Sequence, residues 1–362
     1  MSKVKRLGLL TAGGDCPGLN AVIRAVTKAA LRQDPPIQVV GILDGYEGLV
    51  TGRTRSLTDA DVSGILPRGG TILGTSNRDN PFQFLKSKET TPHNHSKDAL
   101  ATIQREHLDG LITVGGDGTL RCALDFVKLG VPIIGIPKTI DNDIDATDVT
   151  FGFDTAFEIA TEAVDRLHTT AESHHRVLLC EVMGRNAGWI ALHAGIAGGG
   201  DVILIPEIPY DIEKVCAFIK ARAKRGKNFS IVVVAEGAKP VGGKVVAQGT
   251  YRDAQHRPRL GGISYQVAKE IEQTGELETR VVILGHLQRG GTPTAFDRWL
   301  ATHFGVRAVE LAAQGHWERM VALHGTDITH VPISEAVQKT RRVDPQGQDV
   351  QAAMAVGSSF GQ

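Results

Sequence analysis

Short, unbroken apolar runs alternate with longer amphipathic stretches along most of the chain. A run of four to six apolar residues without polar alternation suits a strand covered on both faces, as in a parallel sheet. Strands are accordingly predicted at 7–10, 39–43, 111–114, 133–136, 177–182, 202–205, 231–235 and 281–284. Helices are predicted to begin near Leu19, Thr119, Thr155, Ile212, Ile263 and Ala295. A glycine-rich or polar loop joins each strand to the helix after it, the pattern of βαβ units. Three segments break the rhythm. Residues 76–98, rich in Asn, Lys, Pro and His, read as a surface excursion, and 238–261 as a glycine-rich hairpin or loop. The last thirty or so residues, with Arg341-Arg342 and much Gln, lose periodicity and read as a tail or a terminal element. No internal repeat stands out, although two similarly wound α/β halves fit the pattern.

At 362 residues the chain exceeds the usual size of one hydrophobic core, which favours two domains. Its 40 basic and 40 acidic side chains cancel, so net charge gives no argument for nucleic acid or membrane as a partner. An anion site must then be local. The 42 glycines exceed the usual share of about 7%, and many follow apolar runs directly, where a backbone approaches a ligand. Cys16, Cys122, Cys180 and Cys216 show no C-x-x-C spacing and read as free thiols in a reducing compartment. The start of the chain shows no charged-then-apolar leader, and no run of eighteen apolar residues occurs. A cytoplasmic protein is expected.

Two motifs carry the chemistry. Gly115-Gly116-Asp117-Gly118-Thr119 follows one apolar run, and Pro137-Lys138-Thr139-Ile140-Asp141-Asn142-Asp143 follows the next. Both fall at the carboxyl ends of expected parallel strands, where open α/β sheets place their ligands. The first offers bare backbone to a phosphate and one carboxylate to a metal. Asp117 could instead be a helix N-cap, but a cap needs no glycine on both sides, whereas Mg2+ on a polyphosphate suits such a carboxylate. Asp141 and Asp143 could be turn-formers, yet acids close behind Thr139 suit a base that takes a hydroxyl proton beside a phosphate. Gly13-Gly14 joins the first strand to the first helix and reads either as a plain turn or as an anion cradle. Arg176, Arg280 and Arg289 lie near strand ends, and together they suggest a phosphate clamp. The whole set points to phosphoryl transfer.

These motifs, in this order, closely resemble those of the 6-phosphofructokinase family from about residue 6 to about residue 300. Beside the two loops stand FGFDTA at 151–156, EVMGR ending at Arg185, AEG around Glu236 and GHLQRGG from Gly285. The resemblance implies two Rossmann-like three-layer α/β domains with mostly parallel sheets and an active site in the interdomain cleft. By analogy, residues 1–152 plus 288–338 would form the phosphoryl-donor domain, and 153–287 plus 339–362 the sugar-phosphate domain. The implied reaction is Mg2+-assisted transfer to the 1-hydroxyl of fructose 6-phosphate, giving fructose 1,6-bisphosphate.

Carried over by motif, Asp141 looks like the general base, with Thr139 beside it and Asp143 helping to hold the charge. Asp117 looks like the metal-linked carboxylate and Arg185 like the residue that stabilises the transferring group. Gly14, Gly118, Thr119 and Arg78 would hold the donor. Met183, Gly184 and Glu236 would contact the sugar, and His286 and Arg289 its 6-phosphate. Arg176 and Arg280 match arginines that reach in from a neighbouring subunit, which implies a homodimer or homotetramer. Arg24 and Lys28 match basic effector positions of allosteric bacterial members, while Asp59 stands where an arginine is expected.

The donor turns on two positions. Pyrophosphate-using relatives usually carry Asp where this chain has Gly118, and glycine leaves room for ATP. Lys138 matches the pyrophosphate branch, but a clash excludes a ligand while an extra cation need not, so ATP is the expected donor and pyrophosphate the alternative. NAD kinases and lipid kinases also use a GGDGT loop, but they lack the PKTIDND and GHLQRGG segments. A silent regulatory homologue would have no need of Asp117, Asp141, Asp143, Arg78 and Arg185 together.

Overall fold

Two parallel sheets form from the buried apolar runs, and the chain crosses between them more than once. The computed structural model describes residues 4–77, 80–86, 91–250, 258–275 and 277–362. The chain begins with β1 (Arg6–Thr11), α1 (Leu19–Leu31), β2 (Gln38–Ile42), α2 (Tyr46–Thr51), β3 (Thr54–Leu57), α3 (Ser96–Arg105), β4 (Gly110–Gly115), α4 (Asp117–Lys128) and β5 (Ile133–Pro137). It continues through α5 (Phe153–His174), β6 (Val177–Val182), α6 (Trp189–Ala197), β7 (Val202–Leu204), α7 (Ile212–Lys224) and β8 (Ser230–Ala235). Then come β9 (Ala247–Thr250), β10 (Pro258–Leu260), α8 (Ile263–Gly275), β11 (Thr279–Ile283), α9 (Ala295–Ala313), β12 (Arg319–His324), β13 (Asp327–Pro332), α10 (Ile333–Ala336) and α11 (Gln348–Ala355).

The larger sheet has the order β13-β12-β5-β4-β1-β2-β3, parallel except for its two outermost strands. From β1 the chain winds outward to β2, then returns to place β4 on the other side of β1. That reversal opens a crevice beyond the carboxyl ends of β1 and β4, the usual ligand position in such sheets. The smaller sheet has the order β11-β6-β8-β7, all parallel.

Alternate residues of each strand face different layers. Leu7 and Leu9 of β1, with Leu178 and Cys180 of β6, belong to one buried cluster that also takes in α5, α6 and α9. Leu10 and Leu111 face a second cluster with α2 and α4, and Leu179 and Val232 a third with α7 and α8. The mixed α/β architecture with mostly parallel sheets is the one expected. Helix α9 lies tightly on α1, where a Cβ at Gly305 would come within 2.7 Å of Ala25 Cβ.

Several expectations shift. Helix α4 begins at Asp117 and α5 at Phe153, each two residues early: β4 turns directly into α4 at Gly116, while α5 starts after the long loop from β5 at Gly152, which is left-handed at φ +97. The 76–98 stretch is only partly superficial: Phe84 is buried and pairs with His93. The expected hairpin in 238–261 is present as the antiparallel pair β9–β10. The end of the chain is a terminal element, not a loose tail. Ser359 pairs in parallel with Val202 along the open edge of β7, and Phe360 is buried. No helix among the described residues is long and apolar enough to cross a membrane.

Candidate active site

Six loops, after β1, β4, β5, β6, β8 and β11, lie at the carboxyl ends of the two sheets. Because Gly115 lies in register with Pro137, the two acid-bearing motifs run side by side. Gly115 must be glycine, since a Cβ there would fall 2.3 Å from Thr119. Asp117 is the first helical residue of α4 rather than its cap, and its carboxylate pairs with Arg121 at 2.9 Å on the exposed face. At Gly118 a Cβ would meet nothing within 4 Å, so open space adjoins the first turn of α4. Thr119 is buried, and its carbonyl accepts from the Tyr46 hydroxyl at 3.0 Å.

The loop after β5 is held by its own polar groups. Asn142 takes a left-handed conformation, φ +52, and its Oδ1 accepts from Thr150 N at 3.0 Å. The Thr150 hydroxyl donates to Thr139 O at 2.8 Å, and Asp141 N donates to Thr139 Oγ1 at 3.1 Å. Asp141 is 4% exposed, and its Oδ1 has no hydrogen-bond partner. An orphaned, buried carboxylate oxygen is poised to receive a hydrogen bond from a ligand. Burial, and next the Asp141 charge, push the half-buried Asp143 up to about 7, with Arg185 opposing.

On the smaller sheet, Val182 lies opposite Ala235, which sets the Met183–Arg185 loop beside Glu236. Gly184 needs its φ of +139, and a Cβ on it would stand 2.5 Å from Ala187 O. Arg185 N donates to Glu236 Oε1 at 2.9 Å. Glu236 is likewise pushed up to about 7, by burial first and then by Asp141. After β11 a short 3-10 turn, Gly285–Arg289, presents His286 to solvent and turns Arg289 back toward the first loop.

At that first loop, which follows β1 of the larger sheet, a residue from the turn after β11 of the smaller sheet makes contact. Arg289 Nη1 donates to Asp15 O at 2.9 Å, and a Cβ on Gly14 would come within 2.8 Å of the same nitrogen. The Lys138 ammonium, buried, donates to Gly14 O, and burial lowers its pKa. Beside it a cleft of about 500 Å³ is lined by Gly13, Gly14, Asp15, Asp44, Glu47 and Thr75–Asn77. Arg78 lies outside the described residues.

Arg176 and Arg280 do not join this group, so the clamp expected with Arg289 does not form within one chain. They stand at the amino ends of β6 and β11, both pairing with Glu278, at 2.9 and 2.6 Å. The length of a six-residue strand, about 20 Å, separates them from the Met183 end. At the candidate effector positions, Lys28 is paired with Asp59 at 2.5 Å.

Three buried side chains that the sequence did not flag brace the loops. Gln288 accepts from Met183 N at 2.9 Å and donates to Ala156 O at 3.2 Å, tying the Met183–Arg185 loop to α5. Asp297 accepts from Gly152 N and Thr155 N at 2.8 and 2.9 Å, capping α5 from α9. Glu181 accepts from Gly262 N and Ser264 N at 2.7 and 2.9 Å, capping α8. Only Asp297 had a local signal, the T-x-x-D pattern from Thr294, which marks a helix start but not the reach to α5.

A divalent cation fits this arrangement. Among the described residues no three Asp, Glu, His or Cys side chains converge as a closed metal cage. Mg2+ usually takes one or two carboxylates together with substrate phosphates. Half-exposed Asp117, beside the space at Gly118 and near Asp143, offers that kind of half-site.

The phosphofructokinase family pattern matches residues 6–312. An ATP-dependent 6-phosphofructokinase from Chloroflexus aurantiacus is 53% identical, covering 99% of both chains. A pyrophosphate–fructose 6-phosphate 1-phosphotransferase from Streptomyces coelicolor is 52% identical over 94% of this chain and 96% of its own. The crystal structure of Pichia pastoris phosphofructokinase in the T-state aligns with TM-score 0.78 and 33% identity over 99% of this chain. This chain spans 37% of that yeast chain. Fold, loop order and sequence agree, and the chain belongs to the phosphofructokinase family.

Proposed function

We propose that this chain is an ATP-dependent 6-phosphofructokinase, which phosphorylates the 1-hydroxyl of fructose 6-phosphate in glycolysis. The observation that carries the reading is the buried, partnerless Oδ1 of Asp141, on a carboxylate whose charge acts on both Asp143 and Glu236. In this reading Asp141 takes the proton of the sugar hydroxyl as that oxygen bonds the γ-phosphorus and the bond to ADP breaks. Thr139 braces the Asp141 backbone at the reacting phosphate. Arg185 offers positive charge to the transferring group, aimed before reaction by the bond from its own amide to Glu236. Glu236, Met183 and Gly184 receive the sugar, while His286 and Arg289 hold its 6-phosphate. Gly14, Thr119 and the first turn of α4 receive the donor phosphates, with Arg78 bridging them. Asp117 would hold Mg2+, which supplies charge neutralisation on the polyphosphate.

Residues 1–152 and 288–338 make the donor half in this scheme, and 153–287 and 339–362 the acceptor half. ATP is favoured by the open space at Gly118 and by Lys138, whose ammonium is engaged by Gly14 O rather than free for a small donor. Association into dimers or tetramers completes the sugar site, since Arg176 and Arg280 can serve only a neighbour. Along the β11 edge Val282 and Ile283 are also exposed, with Leu287 just beyond them, an apolar surface suited to a second copy of the chain.

Purified protein assayed with fructose 6-phosphate, Mg2+ and either donor tests this directly. Turnover with ATP is expected, and Asp141→Ser should lower it by about 10²–10⁴-fold while fructose 6-phosphate still binds. Turnover with pyrophosphate alone would reverse the donor assignment, and an unaltered rate in the serine variant would remove Asp141 as the base.

A further inference from the structure

Arg341, in the stretch where sequence periodicity fades, lies between the two loops that must cooperate. Its backbone N–H donates to Asp143 O at 2.9 Å and its Nη1 to Asn142 O at 3.3 Å. Next to it, Thr340 forms an antiparallel bridge with Ile144. On the other side the guanidinium stands 4.3 Å from the centroid of the Trp189 ring, and Trp189 Nε1 donates to Arg341 O at 3.3 Å. Trp189 is the first residue of α6, whose cap Gly188 follows closely on Arg185. Two residues beyond Arg341, Val343 N donates to Glu207 Oε1 at 3.0 Å, and the same carboxylate accepts from Gly188 N. Residues 340–343 are thus fastened to the Asp141–Asp143 loop along one edge and to the root of the Arg185 loop along the other.

We propose that Arg341 is a positioning residue that fixes the separation between the Asp141–Asp143 loop and the Arg185 loop. One planar cation touches both sides at once, taking a carbonyl through hydrogen bonding and an indole through its face. Transfer needs Asp141 and Arg185 on the same reacting group, and a shift of about 1 Å between such partners can cost about a hundredfold in rate. Substrate binding needs less, because each loop keeps its own internal braces. The inference rests on the reaction assigned above, and its test keeps the two apart.

Arg341→Met retains the backbone bond to Asp143 and removes the guanidinium. Its kcat is expected to fall about tenfold or more, while the Kd for fructose 6-phosphate, by titration calorimetry, stays within about twofold. Arg341→Lys, which keeps a cation over Trp189, should recover part of the loss. Hydrogen exchange is expected to speed up at the amides of 139–150 and 186–190 in the Met variant, but not at 7–11. A kcat within about twofold of wild type, or unchanged exchange at 139–150, overturns the proposal. If the wild-type protein is inert toward fructose 6-phosphate with both donors, the assigned reaction fails and the exchange result alone decides the role of Arg341. Should the Met variant not fold, the Lys variant decides. A kcat lowered about threefold at an unchanged unfolding midpoint supports the proposal, and wild-type kcat overturns it.

Discussion

Alanine at position 14 would separate two tasks that meet at one glycine. Gly13 holds φ +81, but Gly14 lies outside the left-handed region, so its backbone accepts a side chain. The added Cβ would stand 2.8 Å from Arg289 Nη1 and 3.2 Å from its Cζ. Comfortable contact between heavy atoms begins near about 3.5 Å. The guanidinium must therefore retreat by roughly 0.7 Å, which breaks the 2.9 Å bond to Asp15 O and misaims the group assigned to the sugar 6-phosphate. One hydrogen bond to a charged group is worth about 1.5–3 kcal/mol, so KM for fructose 6-phosphate should rise about 10- to 100-fold. The amide of residue 14 survives the change, and KM for ATP should stay within about threefold. A coupled steady-state assay with both substrates varied reads the two constants. A raised KM for ATP with that for the sugar unmoved would show that the Cβ argument points at the wrong ligand.

Asp143 and Glu236 both have pKa values raised to about 7 in the folded protein, and such groups add stability at low pH and lose it as pH rises through the folded value. Their contribution is full below about pH 4 and gone above about pH 7. Ligand-free protein should therefore unfold at lower urea at pH 8 than at pH 5.5, and Asp143→Asn with Glu236→Gln should flatten that slope. An equally steep slope in the double variant would reject the assignment. Glu181→Ala strands one buried and one part-buried amide at the start of α8 and should cost about 2–4 kcal/mol in urea unfolding; a loss below about 0.5 kcal/mol would mean that water replaces the carboxylate. Mixing inactive Asp141→Ser with inactive Arg176→Ala subunits should regenerate activity, because one hybrid site then holds both native residues. No recovery after verified subunit exchange would argue that Arg176 serves no neighbouring site.

The central strands were legible because strands buried on both faces are written as unbroken apolar runs. The margins were not. Strand β3, TRSL, and strand β13, DITHVP, are partly exposed and carry polar residues that hide any run. Helix α6, WIALHAGIA, is apolar almost all round and so has no amphipathic period to read. The acid and glycine loops of the site could be read because each is a contiguous string. Their braces could not, since Gln288 meets Met183 across 105 positions and Asp297 meets Gly152 across 145. Such pairs leave no mark on the local sequence. Asp117 illustrates the remaining gap: its neighbours announced an unusual acid, but its pairing with Arg121 depends on where α4 starts.

The order in which the larger sheet is assembled bears on how the protein is made. Strand β5 receives its outer neighbour only when Arg319 comes to lie opposite Ile134. On the ribosome, that flank of β5 stays bare until the whole smaller sheet has emerged, and an uncovered strand margin in a nascent chain invites pairing with other chains. The amino-terminal portion, released by premature termination, would be a candidate for chaperone capture rather than a free-standing nucleotide-binding module.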